Sequence, residues 1–122
     1  MAIASDIMKG GVPAFMARAL GGQVQSAVSA AGTTISDATD LTASINVVTT
    51  AAASSGVQLP NVQVGDSMEI LNLGANAVTI YPDTSSSRIN ALSAGSGFLL
   101  ATNTAVMLRK FTSTRWIGFL SA

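Results

Sequence analysis

Residues 105–120, AVMLRKFTSTRWIGFL, contain two apolar runs separated by a short polar segment, and they decide the fold class. The runs at 105–109 (extended by Phe111) and 116–120 are rich in branched and aromatic residues, which favour β-strands. Residues 112–114 are polar and few enough to form a hairpin loop. The stretch therefore predicts two antiparallel strands joined by a tight turn.

Three further apolar runs precede this hairpin at even spacing, at residues 67–73, 77–81 and 97–101. Residues 74–76, between the first two runs, predict another tight hairpin loop. Pro82 ends its strand because proline has no amide proton to donate to a sheet. Short strands separated by turn residues are typical of a sandwich or a jelly-roll-like barrel.

The first half of the chain is patterned less regularly. Residues 23–50 predict two or three strands around spaced β-branched residues, namely Val24, Val28, Ile35 and the run 45–49. Residues 51–64 lack apolar periodicity and are interpreted as a loop. At 122 residues the chain has the length of one domain. We therefore expect an all-β fold, a single β-sandwich or jelly-roll-like domain over residues 23–122.

Residues 1–22 differ in composition and predict an N-terminal arm. Pro13 can open a short helix, and the pair Gly21 and Gly22 ends it. So short a helix is marginal in water, so it should form by docking, either on its own β-domain or on a partner. For the second alternative the candidate partner-binding residues are Ile7, Met8, Val12, Phe15, Met16 and Leu20.

The last two strands place apolar side chains on both faces of the sheet, at residues 105–108 and 116–120. A small domain can cover only some of its strands on both faces. We infer that part of this surface is buried between subunits. The alternative is a compact single sandwich with an exposed apolar edge.

Composition limits the chemistry of the chain. Charged residues form 10% of it, against about 25% in ordinary soluble domains. Its net charge of zero favours association. The chain has no cysteine and no histidine, which excludes thiolate nucleophiles, imidazole bases and most zinc or iron sites. We expect a non-enzymatic protein without a metal or cofactor.

Basic residues are too scattered to predict direct binding of nucleic acid. The exception is a small group, Arg109, Lys110 and Arg115, on both sides of the final hairpin turn. This group is either a contact patch for an acidic partner or a device that protects a hairpin tip from edge pairing. No apolar run is long enough for a membrane helix, and charged residues and glycines interrupt any signal-peptide core, so we expect neither membrane insertion nor secretion.

Two other sets of residues have a functional and a structural interpretation. Asp37 and Asp40 offer oxygen ligands for calcium, but their spacing favours turn-forming carboxylates that cap their own backbone. Tyr81 and Trp116 can stack on a sugar ring, although core packing and strand propensity explain them more simply.

Residues 72–82, NLGANAVTIYP, are followed by INAL at 89–92, by a glycine-containing link, and by the segment 111–116 with its closing tryptophan. This order resembles a small β-domain of tailed-bacteriophage virion proteins. In that domain a strand ending in Tyr-Pro or Val-Pro precedes an Ile-Asn-Gly/Ala-Leu turn, and a tryptophan-containing strand closes the fold. The likeness covers residues 65–122.

Within that setting a short chain with an arm is similar to capsid decoration, or cement, proteins, which commonly form trimers over junctions between capsid subunits and clamp them with terminal arms. The resemblance implies a homotrimer that binds the major capsid protein on the capsid exterior, after assembly in the host cytoplasm. It implies no catalytic residues. The alternatives are a tail, neck or head-fibre component, or a receptor- or sugar-binding module.

Overall fold

The computed structural model describes residues 23–121, and every regular element in that range is a β-strand. The strands are β1 (Val24–Ala30), β2 (Thr39–Asp40), β3 (Ile45–Ala51), β4 (Gly56–Gln58), β5 (Ser67–Asn72), β6 (Val78–Tyr81), β7 (Arg88–Ile89), β8 (Phe98–Leu100), β9 (Thr104–Thr112) and β10 (Arg115–Leu120). They form a six-stranded sheet in the order β1-β3-β5-β9-β10-β7 and a four-stranded sheet in the order β2-β4-β6-β8.

The first six strands alternate between the two sheets, so the chain winds as a coil. β1, β3 and β5 pair in parallel in the large sheet, and β2, β4 and β6 do the same in the small one. Val24, Ile45 and Glu69 occupy equivalent positions in successive turns of the coil. Parallel strands that recur in register after each crossover define a β-solenoid, here of three turns.

The last part of the chain closes the coil by reversing direction. β8 runs antiparallel to β6, and β9 runs antiparallel to β5. β10 then returns as a hairpin partner of β9 and pairs in parallel with β7. The hairpin of β9 and β10 therefore fills the space between the third turn and the short strand β7.

The core lies between the two sheets and is filled mainly by branched aliphatic side chains. β5 and β9 of the large sheet bury alternate residues, as a sheet with one covered face requires. Trp116 on β10 is the largest fully buried side chain among the described residues. Its neighbours in the core cluster include Leu41, Val48, Val57, Ile70, Ile80, Ile89, Leu100, Val106 and Leu108.

The structure confirms the all-β prediction and the hairpin around residues 112–114. The predicted sandwich or jelly-roll connectivity is wrong, because the first three turns pair in parallel across crossovers instead of in antiparallel hairpins. For the same reason residues 74–76 do not form a hairpin. They carry the chain from β5 in one sheet to β6 in the other.

Three short strands were not predicted. β2 lies next to the turn expected around Asp37 and Asp40, and Ile35, which was expected in a strand, lies in that turn. β4 lies inside the segment 51–64 that was interpreted as a loop, and β7 lies in the turn expected at 89–92. The predicted arm, its helix and its candidate residues lie outside the described part of the chain.

Candidate functional site: an outer apolar face and a buried lysine cluster

The outer surface of the six-stranded sheet is apolar. On β9 the side chains of Val106 and Leu108 point into the core, while Met107 between them is exposed. β10 repeats this alternation, since Trp116 is buried whereas Ile117 and Phe119 are exposed. The outer apolar face, as we call it, consists of Val24, Ile45, Val47, Leu71, Met107, Ile117 and Phe119.

Sheet register aligns these side chains in rows across the strands. One row runs Val24, Ile45, Glu69, Met107 and Phe119, one residue from each of five neighbouring strands. The row ends in Phe119, whose side chain is 61% exposed. The closing hairpin therefore contributes the most prominent end of the face.

Two opposite charges lie within this apolar surface. Glu69 stands in the row just described, and Arg109 stands on β9 beside Ser67 and Ile117. Neither takes part in an ion pair within the described part of the chain, where the structure shows a single pair, Lys110 with Asp83. The face therefore carries one acidic and one basic group that are open to a partner.

An open cleft of about 550 Å³ adjoins the outer apolar face at the beginnings of β3 and β5. Ile45, Glu69 and Met107 line it, and they also belong to the row that ends in Phe119. Met107 is also the cross-strand partner of the protruding Phe119, so Phe119 and the cleft are neighbours on one continuous surface.

A second notable group, the Lys110 cluster, lies beside the turn of the closing hairpin and consists of the buried Lys110, Asp83 and Trp116 side chains and the exposed Asn61. Lys110 Nζ donates hydrogen bonds to Asp83 Oδ2 at 2.8 Å, to the Val62 carbonyl oxygen at 3.0 Å and to Asn61 Oδ1 at 3.3 Å. Trp116 Nε1 donates to Asp83 Oδ1 at 3.1 Å. The Lys110 and Asp83 side chains are only 5% and 1% exposed.

Two opposing influences act on the Asp83 carboxyl. Burial raises its pKa, but hydrogen bonds from Lys110, Trp116 and Ser87 together with the charge of Lys110 outweigh it, and they hold the pKa below its ordinary value. Both oxygens of the Asp83 carboxylate therefore accept a hydrogen bond, one from Lys110 and the other from the Trp116 indole.

This arrangement corrects the prediction of one exposed basic patch at Arg109, Lys110 and Arg115. Lys110 faces the core because it shares the inward alternation of Val106 and Leu108. Arg109 and Arg115 are exposed; the Arg115 guanidinium lies 5.8 Å from the centre of the Phe111 ring and donates to the Asn90 carbonyl oxygen. A role of the two arginines in partner contact stays a prediction.

Asp37 caps its own turn, as the spacing of the two aspartates predicted. Its Oδ1 accepts hydrogen bonds from the Thr33 and Thr34 amides and from the Thr34 hydroxyl. Within residues 23–121 no three His, Cys, Asp or Glu side chains lie close enough together to hold a metal ion. The carboxylate therefore has a structural role in this turn.

The two aromatic residues considered for stacking have different positions. Trp116 is fully buried, so its ring is not available to a sugar. Tyr81 lies on the outer surface of the small sheet, where its hydroxyl donates to the Thr33 carbonyl oxygen at 2.9 Å. Sequence reasoning did not find the pairing of Lys110 with Asp83; the one available signal was Lys110 alternating in phase with Val106 and Leu108.

In comparisons with protein-family models, curated protein sequences and solved structures, the chain matches none. Among the described residues, no helix is long and apolar enough to cross a membrane.

Proposed function

We propose that the protein is a virion structural protein, a capsid decoration protein that associates with copies of itself and with the major capsid protein. The observation that carries this proposal is the outer apolar face. Apolar side chains lie in register there across five strands; Val24, Met107, Ile117 and Phe119 are exposed, and Ile45, Val47 and Leu71 are half-buried. The sequence resemblance to tailed-phage virion domains supplies the setting.

An exposed apolar surface of this kind is a feature of proteins that bind other proteins. The largest apolar patch on a typical monomer is itself about 300–600 Å² and is often functional. Covering Phe119, Met107 and Ile117 removes apolar area from water and stabilises a complex. A surface with few charges loses little solvation of ionised groups when it is covered.

The first partner is a second copy of the chain. The face is asymmetric, because it has one protruding aromatic side chain, Phe119, and one open cleft, which Ile45, Glu69 and Met107 line. Head-to-tail packing inserts Phe119 of one copy into the cleft of the next. Repeated head-to-tail contacts close into a ring when the rotation permits, and a homotrimer is the smallest such ring.

The second partner is the capsid. A trimer presents each of its contact surfaces three times, and linked contacts bind far more tightly than single ones. The arm of residues 1–22, with Arg109 and Arg115 as further candidates, supplies the docking surface. Such a protein occupies the capsid exterior after assembly in the host cytoplasm, and it resists opening of the shell.

Co-sedimentation tests the capsid assignment. Purified protein is mixed with particles assembled without it, and its ratio to the major capsid protein is measured at saturation. We expect saturation at one trimer per lattice junction. Binding of a few copies per particle, or to tails alone, would instead assign the protein to a neck, tail or fibre.

A matched pair of variants tests the self-association surface separately. Phe119→Asp places a charge on the outer apolar face, whereas Leu99→Asp places it on the small sheet at a side chain of similar exposure, 67%. Sedimentation velocity should show trimers for the parent chain and for Leu99→Asp, and monomers for Phe119→Asp. A parent chain that sediments as a monomer at micromolar concentration contradicts the trimer.

A further inference from the structure

Lys110 is a primary amine held inside the protein. Its side chain is 5% exposed, and three oxygen acceptors surround Nζ: a carboxylate, a peptide carbonyl and a side-chain amide. A buried lysine is a nucleophile once it loses its proton. The question is therefore whether a proton acceptor and an electrophile lie within its reach.

Asp83 is the proton acceptor. Its Oδ2 lies 2.8 Å from Nζ, while the indole of Trp116 holds its other oxygen and fixes its orientation. Oδ2 already accepts a hydrogen bond from Nζ, so it is placed to take the proton that the amine must lose before it attacks. This is the arrangement required for general acid–base catalysis at the lysine.

Asn61 is the electrophile. Its amide oxygen is 3.3 Å from Nζ, which brings the lysine nitrogen to the edge of this amide. Holding an amine and the amide that it attacks side by side in one fold gives the pair a large effective concentration. The backbone carbonyl of Val62, the next residue, also accepts from Nζ, so the loop is held against the lysine at two points.

We propose that Lys110 and Asn61 form an intramolecular isopeptide bond, with Asp83 as the acid and base. Asp83 takes a proton from the Lys110 ammonium, and the free amine attacks Cγ of Asn61. Asp83 then returns a proton to Nδ2 as the bond between Cγ and Nδ2 breaks. The remaining extra proton leaves with the ammonia, so the products are a secondary amide, ammonium and the Asp83 carboxylate. No oxidant, metal or second substrate takes part, and each chain reacts once.

The bond would join two parts of the fold that are distant in sequence. Asn61 lies in the connection between β4 and β5, whereas Lys110 lies on β9, 49 residues further along. The crosslink would fasten the closing hairpin to a turn of the solenoid. It stabilises the protein because it restricts the unfolded chain. The inference is independent of the proposed virion role, since it rests on the described chain alone.

Intact mass spectrometry of the purified full-length protein, denatured immediately before injection, tests the bond. We expect a mass below that of the sequence by about 17 Da, the mass of ammonia. An unchanged mass contradicts the proposal. A loss of about 18 Da, the mass of water, places the bond at the Asp83 carboxyl instead, and it also overturns the assignment of Asn61.

Trypsin digestion locates the bond. Cleavage after Arg18, Arg88, Arg109 and Arg115 gives peptides 19–88 and 110–115. A crosslinked protein yields these two as one branched peptide, and Lys110 is no longer a cleavage site. A succinimide at Asn61 also loses ammonia, but it leaves peptide 19–88 unbranched and Lys110 open to cleavage; that result would count against the crosslink.

Two variants complete the test. Lys110→Arg keeps the positive charge and hydrogen-bond donors but has no primary amine, and Asn61→Ala removes the electrophile at an exposed position. Both should retain the far-UV circular dichroism of the parent and show the full mass of their sequences. If either variant still loses ammonia, the bond does not involve that residue.

Discussion

The ring of Tyr81 lies against the backbone of Gly56, so that a Cβ atom on Gly56 would be 2.7 Å from Cε2 of Tyr81. The two residues belong to neighbouring parallel strands of the small sheet, β4 and β6. The ring cannot simply swing away, because its hydroxyl is bonded to the Thr33 carbonyl. Tyr81, on the third turn of the solenoid, thereby contacts the first turn. It crosses over β4, where Gly56 leaves room for its ring.

Gly56→Ala should therefore destabilise the fold. Forcing an extra methyl group into a packed site costs about 1–3 kcal/mol, and chemical denaturation measures the loss. In a Tyr81→Ala background the same substitution should cost less, because the ring is gone and only the Thr79 carbonyl oxygen, at 3.2 Å, stays close to the added Cβ. Equal costs in the two backgrounds would show that the close approach of Tyr81 does not determine the need for glycine.

Asn72 determines how the chain crosses from β5 to β6. It is fully buried, and its Nδ2 donates to the carbonyl oxygens of Asn76 and Leu100 at 2.9 and 3.0 Å. Its Oδ1 accepts from the Gly74 amide at 3.0 Å. One side chain thus satisfies two backbone groups in the segment that replaces the expected hairpin and a third on β8.

Asn72→Asp preserves size but removes both donors, so it should cost about 2–4 kcal/mol by leaving buried carbonyl groups unpaired. The loss should be larger at neutral pH than at low pH, since a protonated carboxyl regains one donor. Asn103→Asp, at an exposed turn position where φ is 60°, is the control and should change stability little. Thermal unfolding at two pH values measures both.

Alternation of apolar residues predicted the strands of the second half well, because β5, β6, β9 and β10 each bury one face against the same core. It did not predict how the strands pair. The Gly-Ala-Asn segment at residues 74–76 is compatible with either a hairpin or a crossover. The crossover that the structure shows depends on the hydrogen bonds of Asn72. Pairing of distant strands leaves no local signal in the chain.

The candidate site was predicted in part. Apolar residues on both faces of the last two strands indicated the outer apolar face directly. Lys110 was assigned to the surface because of its charge, although its place in the alternation with Leu108 pointed inward. Its partners Asn61 and Asp83 come from two other connections, and their convergence requires the three-dimensional path of the coil.

The stability of the first turn of the solenoid should depend on pH, because of Asp37. Hydrogen bonds from the Thr34 hydroxyl and from the Thr34 and Thr33 amides lower the pKa of its carboxyl below the ordinary 3.8. A lowered pKa contributes stability above about pH 4, which is lost as pH falls through the folded-state pKa. Asp37→Ala should therefore lower the melting temperature near pH 7, and this difference should shrink near pH 2.

Asp40→Ala is the control, at an exposed carboxylate on β2. A difference for Asp37→Ala that is independent of pH contradicts the role of its carboxylate.

Met107 and Leu108 are adjacent on β9, yet one lies on the outer apolar face and the other is fully buried beside Gly118. Leu108→Ala should cost about 2–5 kcal/mol of folding stability, because it leaves a cavity between the two sheets. Met107→Ala should change the stability of the monomer by less than about 0.5 kcal/mol, as surface substitutions usually do. It should nevertheless weaken self-association, since it removes apolar area from the surface that a second copy covers.

Two measurements separate the effects of these substitutions on folding and on self-association: denaturation at concentrations where the chain is a monomer, and sedimentation at concentrations where it associates. If Met107→Ala leaves the concentration dependence of sedimentation unchanged, the copies meet through another surface.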